Sequence, residues 1–338
     1  MKLDAMTLGG PLAGIGTQAR EAEARGFDGW FTGETAHEPL LACGAAGAAT
    51  DRIEIGTAIA VAFPRSPMHV AYAAHDLQDL TGGRFVLGLG SQVKAHVEKR
   101  FSTPWSRPAA RMREYVLALR AIWDAWATGE RLRFRGEFYN HSLMTPFFTP
   151  QDHGHGPPKV WLAAVGREMT AVAGEVADGL LCHGFTTDRY LDEVSLPSLT
   201  EGAARAGRTR AGLEVSLPVF VVTGRDDAEI AEVEAMVRGQ IAFYGSTPAY
   251  RAVLELHGWR GLHEQLHAAS LRGDWAEMPA MIDDEVLHAF AVVCPPDEVG
   301  ARIRARYAGR VDRVSLYTSF AFEDELWRRL LADVHGGD

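Results

Sequence analysis

Short apolar runs alternate along this chain with amphipathic stretches of helical periodicity. Apolar residues spaced three and four apart predict helices, the clearest of them over 108–127 with Pro108 in its first turn. Strands that alternate with helices form parallel sheets, and eight such units predict a closed (β/α)8 barrel, the TIM barrel. The eight runs with the length and β-branched content of buried strands are residues 2–8, 27–32, 53–62, 84–89, 159–164, 178–183, 213–223 and 312–317.

Two segments interrupt this alternation. Residues 130–150 alternate aromatic and polar positions around Gly136, which predicts an inserted hairpin. Residues 226–289 are mostly helical in pattern and too long for one crossover, so they predict a helical insertion. An open, doubly wound sheet is the competing architecture, but no GxGxxG motif follows the first strand. We therefore predict a single barrel domain over 1–338.

The composition of the chain limits the classes of partner that we expect it to bind. The net charge of −10 over 338 residues argues against a nucleic-acid or anionic membrane surface as the main partner. No window approaches the roughly 20 apolar residues of a membrane-spanning helix, and the first residues do not resemble a secretion signal; we expect a cytoplasmic protein. The pair His153 and His155 has no carboxylate or cysteine nearby in the sequence, so no metal site is predicted.

The most informative stretch runs from Ile53 to Gly90. It reads as a strand, a helix and a second strand, and both strands end in small residues that would let a ligand approach the backbone. Ser91 and Gln92 directly follow the second strand, and His96 comes soon after. Catalytic residues of TIM barrels lie at the carboxyl ends of the strands, so these side chains are candidates for lining a cofactor or substrate pocket.

Two other strand ends carry candidate chemistry. Glu34 and His37 follow the second strand, where a carboxylate and an imidazole can transfer protons; the alternative is a structural glutamate beside an exposed histidine. A small-residue segment opens the helix after the fifth strand, and its exposed N–H groups and helix dipole favour a phosphate group. The residues of this predicted phosphate site are Ala164, Val165 and Gly166, with Gly184 after the sixth strand as a second approach point.

Four segments, in this order, resemble the luciferase-like oxidoreductases, and more narrowly the branch that uses the deazaflavin coenzyme F420. They are AEARGFDGWFTGE, IGTAIAVAFPRSP, GGRFVLGLG and WLAAVGREMTAVAGEVADGLL. The resemblance covers roughly residues 2–200 and 290–318. It implies a TIM-type barrel, a homodimer, and a non-proline cis bond at Ala58–Ile59 that supports the deazaflavin ring. It also implies that the Gly90–Gln92 loop and the phosphate segment bind the cofactor.

The chain departs from this family at two places. Many relatives carry an Asp-His pair where this chain has Glu34 and Thr35, with His37 two residues later. Sugar-phosphate dehydrogenases of the family place a glutamate directly after the glycine loop, and none follows Gly90 here. A hexose phosphate is therefore not the expected substrate.

Charged and aromatic residues add two weaker hypotheses. Part of a basic segment could receive the polyanionic tail of coenzyme F420, or the segment could simply be a solvated helix face; its residues are Lys94, Lys99, Arg100, Arg107, Arg111 and Arg113. Three aromatic side chains are candidates for the wall of a substrate cleft together with His96, namely Phe63, Phe147 and Phe148.

The sequence thus predicts an oxidoreductase that moves a hydride between coenzyme F420 and a small organic substrate, with Glu34 and His37 managing protons. An FMN-dependent monooxygenase on the same fold is the first alternative. A barrel that binds a cofactor without catalysis is the second alternative, to which the two departures from the family give some weight.

Overall fold

A computed structural model describes residues 1–336 and contains a parallel barrel surrounded by helices. The strands are β1 (Lys2–Thr7), β2 (Gly29–Thr32), β3 (Glu54–Thr57), β4 (Ala60–Val61), β5 (Phe85–Gly90), β6 (Phe134–Arg135), β7 (Asn140–His141), β8 (Lys159–Ala164), β9 (Gly179–Cys182), β10 (Glu214–Val222), β11 (Ala291–Val293) and β12 (Arg313–Tyr317).

The helices lie between these strands and after them. They are α1 (Leu12–Ala24), α2 (Pro39–Gly47), α3 (Pro67–Leu80), α4 (Lys94–Lys99), α5 (Pro108–Thr128), α6 (Arg167–Val176), α7 (Asp188–Tyr190), α8 (Leu196–Arg205), α9 (Asp227–Gly245), α10 (Arg251–Leu256), α11 (Arg260–Arg272), α12 (Asp284–Phe290), α13 (Val299–Tyr307) and α14 (Asp324–His335). A π-helical turn, Leu191–Ser195, joins α7 to α8.

The barrel closes in the order β1-β2-β3-β5-β8-β9-β10-β12, with β12 pairing back to β1. Every pairing in this ring is parallel. These eight strands are the eight predicted from the sequence, so the TIM-barrel prediction is confirmed. The predicted strand over 53–62 is divided, because β4 pairs with β5 beyond a break after Thr57.

Two elements escaped the sequence pattern. Helix α2 (PLLACGAAG) is small and apolar throughout, so it has no polar face from which helical periodicity could be recognised. Strand β11 has three residues and follows α12 without a break, so its apolar run reads as part of the helix. The helical insertion contains α9 to α12, as predicted. The predicted hairpin is present as the two-residue antiparallel pair β6 and β7.

Two stacked aromatic rings fill the middle of the barrel. Phe31 of β2 and Trp161 of β8 have ring centroids 5.4 Å apart. Glycines on neighbouring strands make the room, since a Cβ at Gly56 would lie 2.5 Å from the Phe31 ring and one at Gly179 would lie 2.5 Å from the Trp161 ring. The barrel is therefore a packed core up to the level of these rings, and only its mouth at the carboxyl ends is available for a ligand.

A buried ion pair lies beneath the rings. Arg313 of β12 donates to both carboxylate oxygens of Asp4 on β1, at 2.6 and 2.8 Å, and both side chains are buried. Glu54 and Glu214 extend the cluster towards the amino-terminal end of the barrel. These carboxylates compensate the charge of the Arg313 guanidinium, whose burial without partners would cost several kcal/mol of desolvation free energy. We assign this end to stability.

Within residues 1–336, no helix is long and apolar enough to span a membrane. The same part of the chain contains no group of three or more histidine, cysteine or acidic side chains placed to bind a metal ion.

Candidate functional site

The mouth of the barrel is lined by small and apolar side chains that face the axis. Successive residues of a strand point to opposite faces, so residues two beyond the ring layer face the mouth. Ala163 lies two residues beyond Trp161, and it packs with Met6, Ala58 and Ile59 against the rings below. This arrangement leaves a partly exposed apolar floor at the carboxyl ends of the strands.

The break between β3 and β4 forms one side of this floor. The peptide bond Ala58–Ile59 is a non-proline cis bond, which confirms the expectation drawn from the family resemblance. The N–H of Ala58 donates to the carbonyl of Thr32 at 2.8 Å, and the N–H of Glu34 donates to the carbonyl of Ile59 at 3.0 Å. The end of β2 therefore holds the bulge in place on both sides.

The glycines of β5 make room for this bulge. A Cβ at Gly88 would lie 1.8 Å from the carbonyl oxygen of Thr57, and one at Gly90 would lie 2.8 Å from Cδ1 of Ile59. The hydroxyl of Thr57 also donates to the Gly88 carbonyl at 2.7 Å. This changes the interpretation of the Gly-Leu-Gly motif. The space beside the two glycines is filled by the bulge of the protein itself and is not open to a ligand.

Glu34 is held at the end of β2 by two donors. Its Oε2 accepts hydrogen bonds from the N–H of Val61 at 2.7 Å and from Arg65 at 2.8 Å, and its side chain is only 6% exposed. Arg65 also pairs with Glu38 at 2.7 Å. These contacts give Glu34 a positioning role for β4, and its role in proton transfer stays a prediction. His37 is exposed on the loop that follows.

The predicted phosphate segment opens α6, a helix of ten residues. Gly166 occupies the N-cap position without a side-chain cap, and a Cβ there would meet nothing within 4 Å. The first backbone hydrogen bond of the helix runs from Thr170 to the Gly166 carbonyl. The N–H groups of residues 167–169, in the first turn of the helix, therefore have no hydrogen-bond acceptor within residues 1–336. Such free N–H groups can bind an anion. The Tyr190 hydroxyl donates to the Val165 carbonyl at 3.2 Å and orients the segment.

The other predicted cofactor contacts lie nearby in the fold. Ala164 pairs with Cys182 across β8 and β9, so the turns that follow, including Gly184, are side by side. After β5, Gln92 has a φ of +59° and its Oε1 accepts from the N–H of Val93 at 2.9 Å, while Ser91 donates to the Gln92 carbonyl. Their side chains are half-buried at the mouth, and they shape a tight turn there.

The side chains predicted to line a substrate cleft lie either in the core or on the surface of the protein. Phe63 is 3% exposed and packs in the core between Trp105 and the guanidinium of Arg111, so its assignment to a cleft is wrong. Phe147 and Phe148 are 89% and 57% exposed on the surface of the insertion. The Phe148 carbonyl accepts a hydrogen bond from the Tyr72 hydroxyl on helix α3, and the assignment of these two rings to a cleft stays a prediction. His96 is exposed on α4.

The basic segment is mostly engaged in structural contacts. Arg107 pairs with Glu137, Arg113 pairs with Glu175 at 2.6 Å, and Arg111 donates to two backbone carbonyls. Arg100 likewise donates to the carbonyl of Thr35 at 2.5 Å, and Lys94 lies 3.9 Å from Glu98. These contacts favour the alternative of a compensated helix face for most of the segment, since charge runs on helices are ordinarily compensated by such pairs. Within residues 1–336, Lys99 is the one member of the segment with no such side-chain contact. Binding of a cofactor tail by part of the segment stays a prediction.

The sequence analysis did not identify a cluster of aromatic rings at the end of β9. Leu181 of β9 packs into the barrel interior, and His183, two residues later, faces the same way. The ring of Tyr250 stacks on His183 at 4.6 Å, and the ring of Tyr244 meets it edge-on at 4.5 Å. Burial lowers the pKa of His183 to about 4. The alternation along β9 could have indicated His183, whereas its neighbours come from the distant helical insertion.

Comparison with known proteins places this geometry in a family. The model of the luciferase-like monooxygenase family matches residues 2–313, and the chain therefore belongs to that family. The chain is 53% identical over 314 residues to an uncharacterized protein of Mycobacterium tuberculosis, covering 93% of this chain and 92% of that one. It is 33% identical over 225 residues to an F420-dependent glucose-6-phosphate dehydrogenase of Beutenbergia cavernae, covering 62% and 64%.

Solved structures agree with the fold. The coenzyme F420-dependent tetrahydromethanopterin reductase of Methanopyrus kandleri aligns with a TM-score of 0.79 at 19% identity, covering 99% of this chain and 98% of that one. The oxygenating constituent of 3,6-diketocamphane monooxygenase of Pseudomonas putida, in complex with FMN, aligns with a TM-score of 0.67 at 17% identity, covering 100% and 98%. Relatives of both cofactor types thus share this barrel.

Proposed function

We propose that the protein is an oxidoreductase that transfers a hydride between coenzyme F420 and a small organic substrate. The observation that carries the proposal is the uncapped amino terminus of α6, which opens beside the apolar floor of the mouth. A planar ring system attached to a phosphate group requires both features, one for each of its parts. Relatives named as F420-dependent enzymes favour the deazaflavin.

The residues at the mouth fit such a cofactor. The backbone of Ala164, Val165 and Gly166 would bind the phosphate, because Gly166 leaves the space in front of the helix open. The apolar side chains of the Ala58–Ile59 bulge would support one face of the ring system. When bound, the deazaflavin supplies a carbon atom that donates or accepts a hydride.

The protein's own contribution is orientation, exclusion of water and control of protons. Glu34 fixes the bulge through Val61 and Arg65. The imidazole of His37 is exposed near the end of the same strand, where it can exchange protons with solvent. The packed rings of Phe31 and Trp161 keep water from reaching the mouth from below.

A fluorescence titration of one protein preparation with coenzyme F420 and with FMN tests the proposal. We expect saturable binding of coenzyme F420 and weaker binding of FMN, followed by hydride transfer in the presence of a substrate. Tight binding of FMN alone, with substrate-dependent oxygen consumption, would replace the proposal by the monooxygenase alternative. Tight cofactor binding with no hydride transfer to any acceptor would favour a binding protein.

A further inference from the structure

His183 follows β9 at the mouth of the barrel, beside the segment proposed to bind the phosphate of the cofactor. Because Ala164 and Cys182 are paired across β8 and β9, His183 emerges next to Val165 and one residue away from the turn that opens α6. Leu181, on the same face of β9, packs against the interior rings, while Cys182 packs outward among the helices. By the alternation along β9 the imidazole therefore faces the mouth, two strands away from β5, against which the Ala58–Ile59 bulge packs.

The hydrogen bonds of this imidazole determine its tautomer. Its Nδ1 accepts from the N–H of Phe185 at 3.0 Å, so that nitrogen carries no proton and the neutral ring holds its proton on Nε2. In the described residues 1–336, Nε2 has no hydrogen-bond partner, and it is not among the polar atoms that are fully enclosed. His183 thus presents one accessible N–H donor with a fixed orientation.

The surroundings of this donor are uncharged. Burial lowers the pKa of His183 to about 4, and no charged neighbour contributes to that shift. Burial also raises the pKa of Tyr244 and of Tyr250, so both hydroxyls stay neutral. An anionic group of a substrate, packed against the rings of Tyr244 and Tyr250 and away from the helix end proposed for the cofactor's phosphate, would lose hydration with no cation to compensate it. The ring faces and edges instead favour apolar groups.

We propose that Nε2–H of His183 donates a hydrogen bond to the oxygen of an uncharged, apolar carbonyl substrate held beside Tyr244 and Tyr250. This inference rests on the proposed function, in which a hydride adds to the carbonyl carbon and the C=O π electron pair moves to the oxygen. A donor aimed at that oxygen stabilises the developing charge. The neutral imidazole keeps its proton, and the proton that completes the alcohol is supplied by His37, which in the proposed function takes it up again from solvent.

The test uses acetophenone as an uncharged probe and benzoate as its anionic counterpart. Protein labelled with ¹⁵N at its 13 histidines gives one Nε2 resonance for His183, assigned by its loss in His183→Asn. We expect acetophenone, added to protein saturated with coenzyme F420, to shift that resonance, and we expect benzoate and glucose 6-phosphate to leave it unchanged. The proposal is overturned if acetophenone binds without moving this resonance, or if benzoate binds as tightly as acetophenone.

A matched pair of variants separates the donor from the fold. In His183→Asn the amide oxygen can still accept from the N–H of Phe185, but no donor replaces Nε2–H; His183→Gln places an amide N–H near the Nε2 position. We expect acetophenone to bind His183→Asn about fivefold more weakly, the size of one neutral hydrogen bond, and His183→Gln to recover part of the loss. His288→Asn, at an exposed position on α12, should bind like the native protein.

The two proposals can fail separately. If coenzyme F420 does not bind in a direct titration but acetophenone still shifts the His183 resonance, the proposed cofactor is wrong and the donor assignment stands. If coenzyme F420 binds and acetophenone affinity is equal in the native protein and in His183→Asn, the donor assignment is wrong and the proposed cofactor stands. Should His183→Asn fail to fold, the loss of the resonance in His183→Gln gives its assignment, and the shift in the native protein decides.

Discussion

Ile59 occupies the space that a side chain on Gly90 would need. A Cβ at Gly90 would lie 2.8 Å from Cδ1 and 2.9 Å from Cγ1 of Ile59. Ile59 lies in the bulge between β3 and β4 and Gly90 ends β5, so their fit links the two elements. The floor of the proposed cofactor site is therefore set by a contact between two residues 31 positions apart in the sequence.

This contact predicts the effect of Gly90→Ala. The added methyl group must displace Ile59, so we expect a loss of about 1–2 kcal/mol in the free energy of unfolding, measured by urea denaturation. Binding of coenzyme F420 should weaken as well, because the displaced side chain enters the mouth. The double variant Gly90→Ala/Ile59→Ala should be more stable than expected from additive effects of the single changes. Gly10→Ala is the control, since a Cβ there meets nothing within 4 Å. Equal stability of Gly90→Ala and Gly10→Ala would contradict the argument.

The largely buried pair of Glu34 and Arg65 predicts a second result. Glu34→Gln keeps an acceptor for the N–H of Val61 but leaves Arg65 beside a neutral amide, so we expect a loss of about 2 kcal/mol in unfolding free energy. Because we assign Glu34 a positioning role, cofactor affinity should fall while the pH profile of turnover keeps its shape. A profile that loses one limb in Glu34→Gln would show instead that this carboxylate carries a proton.

The amino terminus of α6 allows a change that strengthens the fold while it blocks the site. Gly166→Asp supplies an N-cap carboxylate, which should stabilise the helix by a few tenths of a kcal/mol. The same carboxylate would occupy and repel the position proposed for the phosphate, so affinity for coenzyme F420 should drop at least about tenfold.

Gly166→Asn provides the neutral comparison for this experiment. It caps the helix about equally well but carries no charge, so its loss of affinity should be clearly smaller than that of Gly166→Asp. Thermal unfolding and fluorescence titration of the same samples measure both effects. If Gly166→Asp binds coenzyme F420 as tightly as the native protein, the phosphate does not bind at this helix end.

His183 predicts a pH dependence of stability. Its pKa is lowered from 6.5 to about 4 in the folded protein, so this group contributes full stability above about pH 6.5. Between pH 6.5 and 4 the unfolded chain takes up a proton that the folded chain does not, and the free energy of unfolding falls. At pH 5 the loss from this group is about 2 kcal/mol.

Urea denaturation at pH 7 and pH 5 measures this effect. His183→Asn removes the titrating ring, so its stability should fall by about 2 kcal/mol less over that interval than that of the native protein. His288→Asn, at an exposed position, should show the native loss. An identical pH response of native protein and His183→Asn would mean that His183 is not held in its neutral form by burial.

The local pattern of the chain was sufficient for the barrel. Eight apolar runs separated by helical periodicity determine the order of its strands, because a parallel strand must be buried on both faces and its connection must be a helix. The resemblance to the family also indicated the cis bond at Ala58–Ile59. Local pattern had no means of showing α2, whose residues are apolar all round.

The contacts across the mouth were decided by tertiary structure alone. From the sequence, Gly88 and Gly90 suggested space for a ligand and Phe63 suggested a cleft wall, but packing gave that space to Thr57 and Ile59 and placed Phe63 in the core. Likewise, the rings around His183 come from an insertion some sixty residues later in the chain. A sequence specifies which side chains can be buried, whereas which of them meet depends on how the strands and insertions close around one axis.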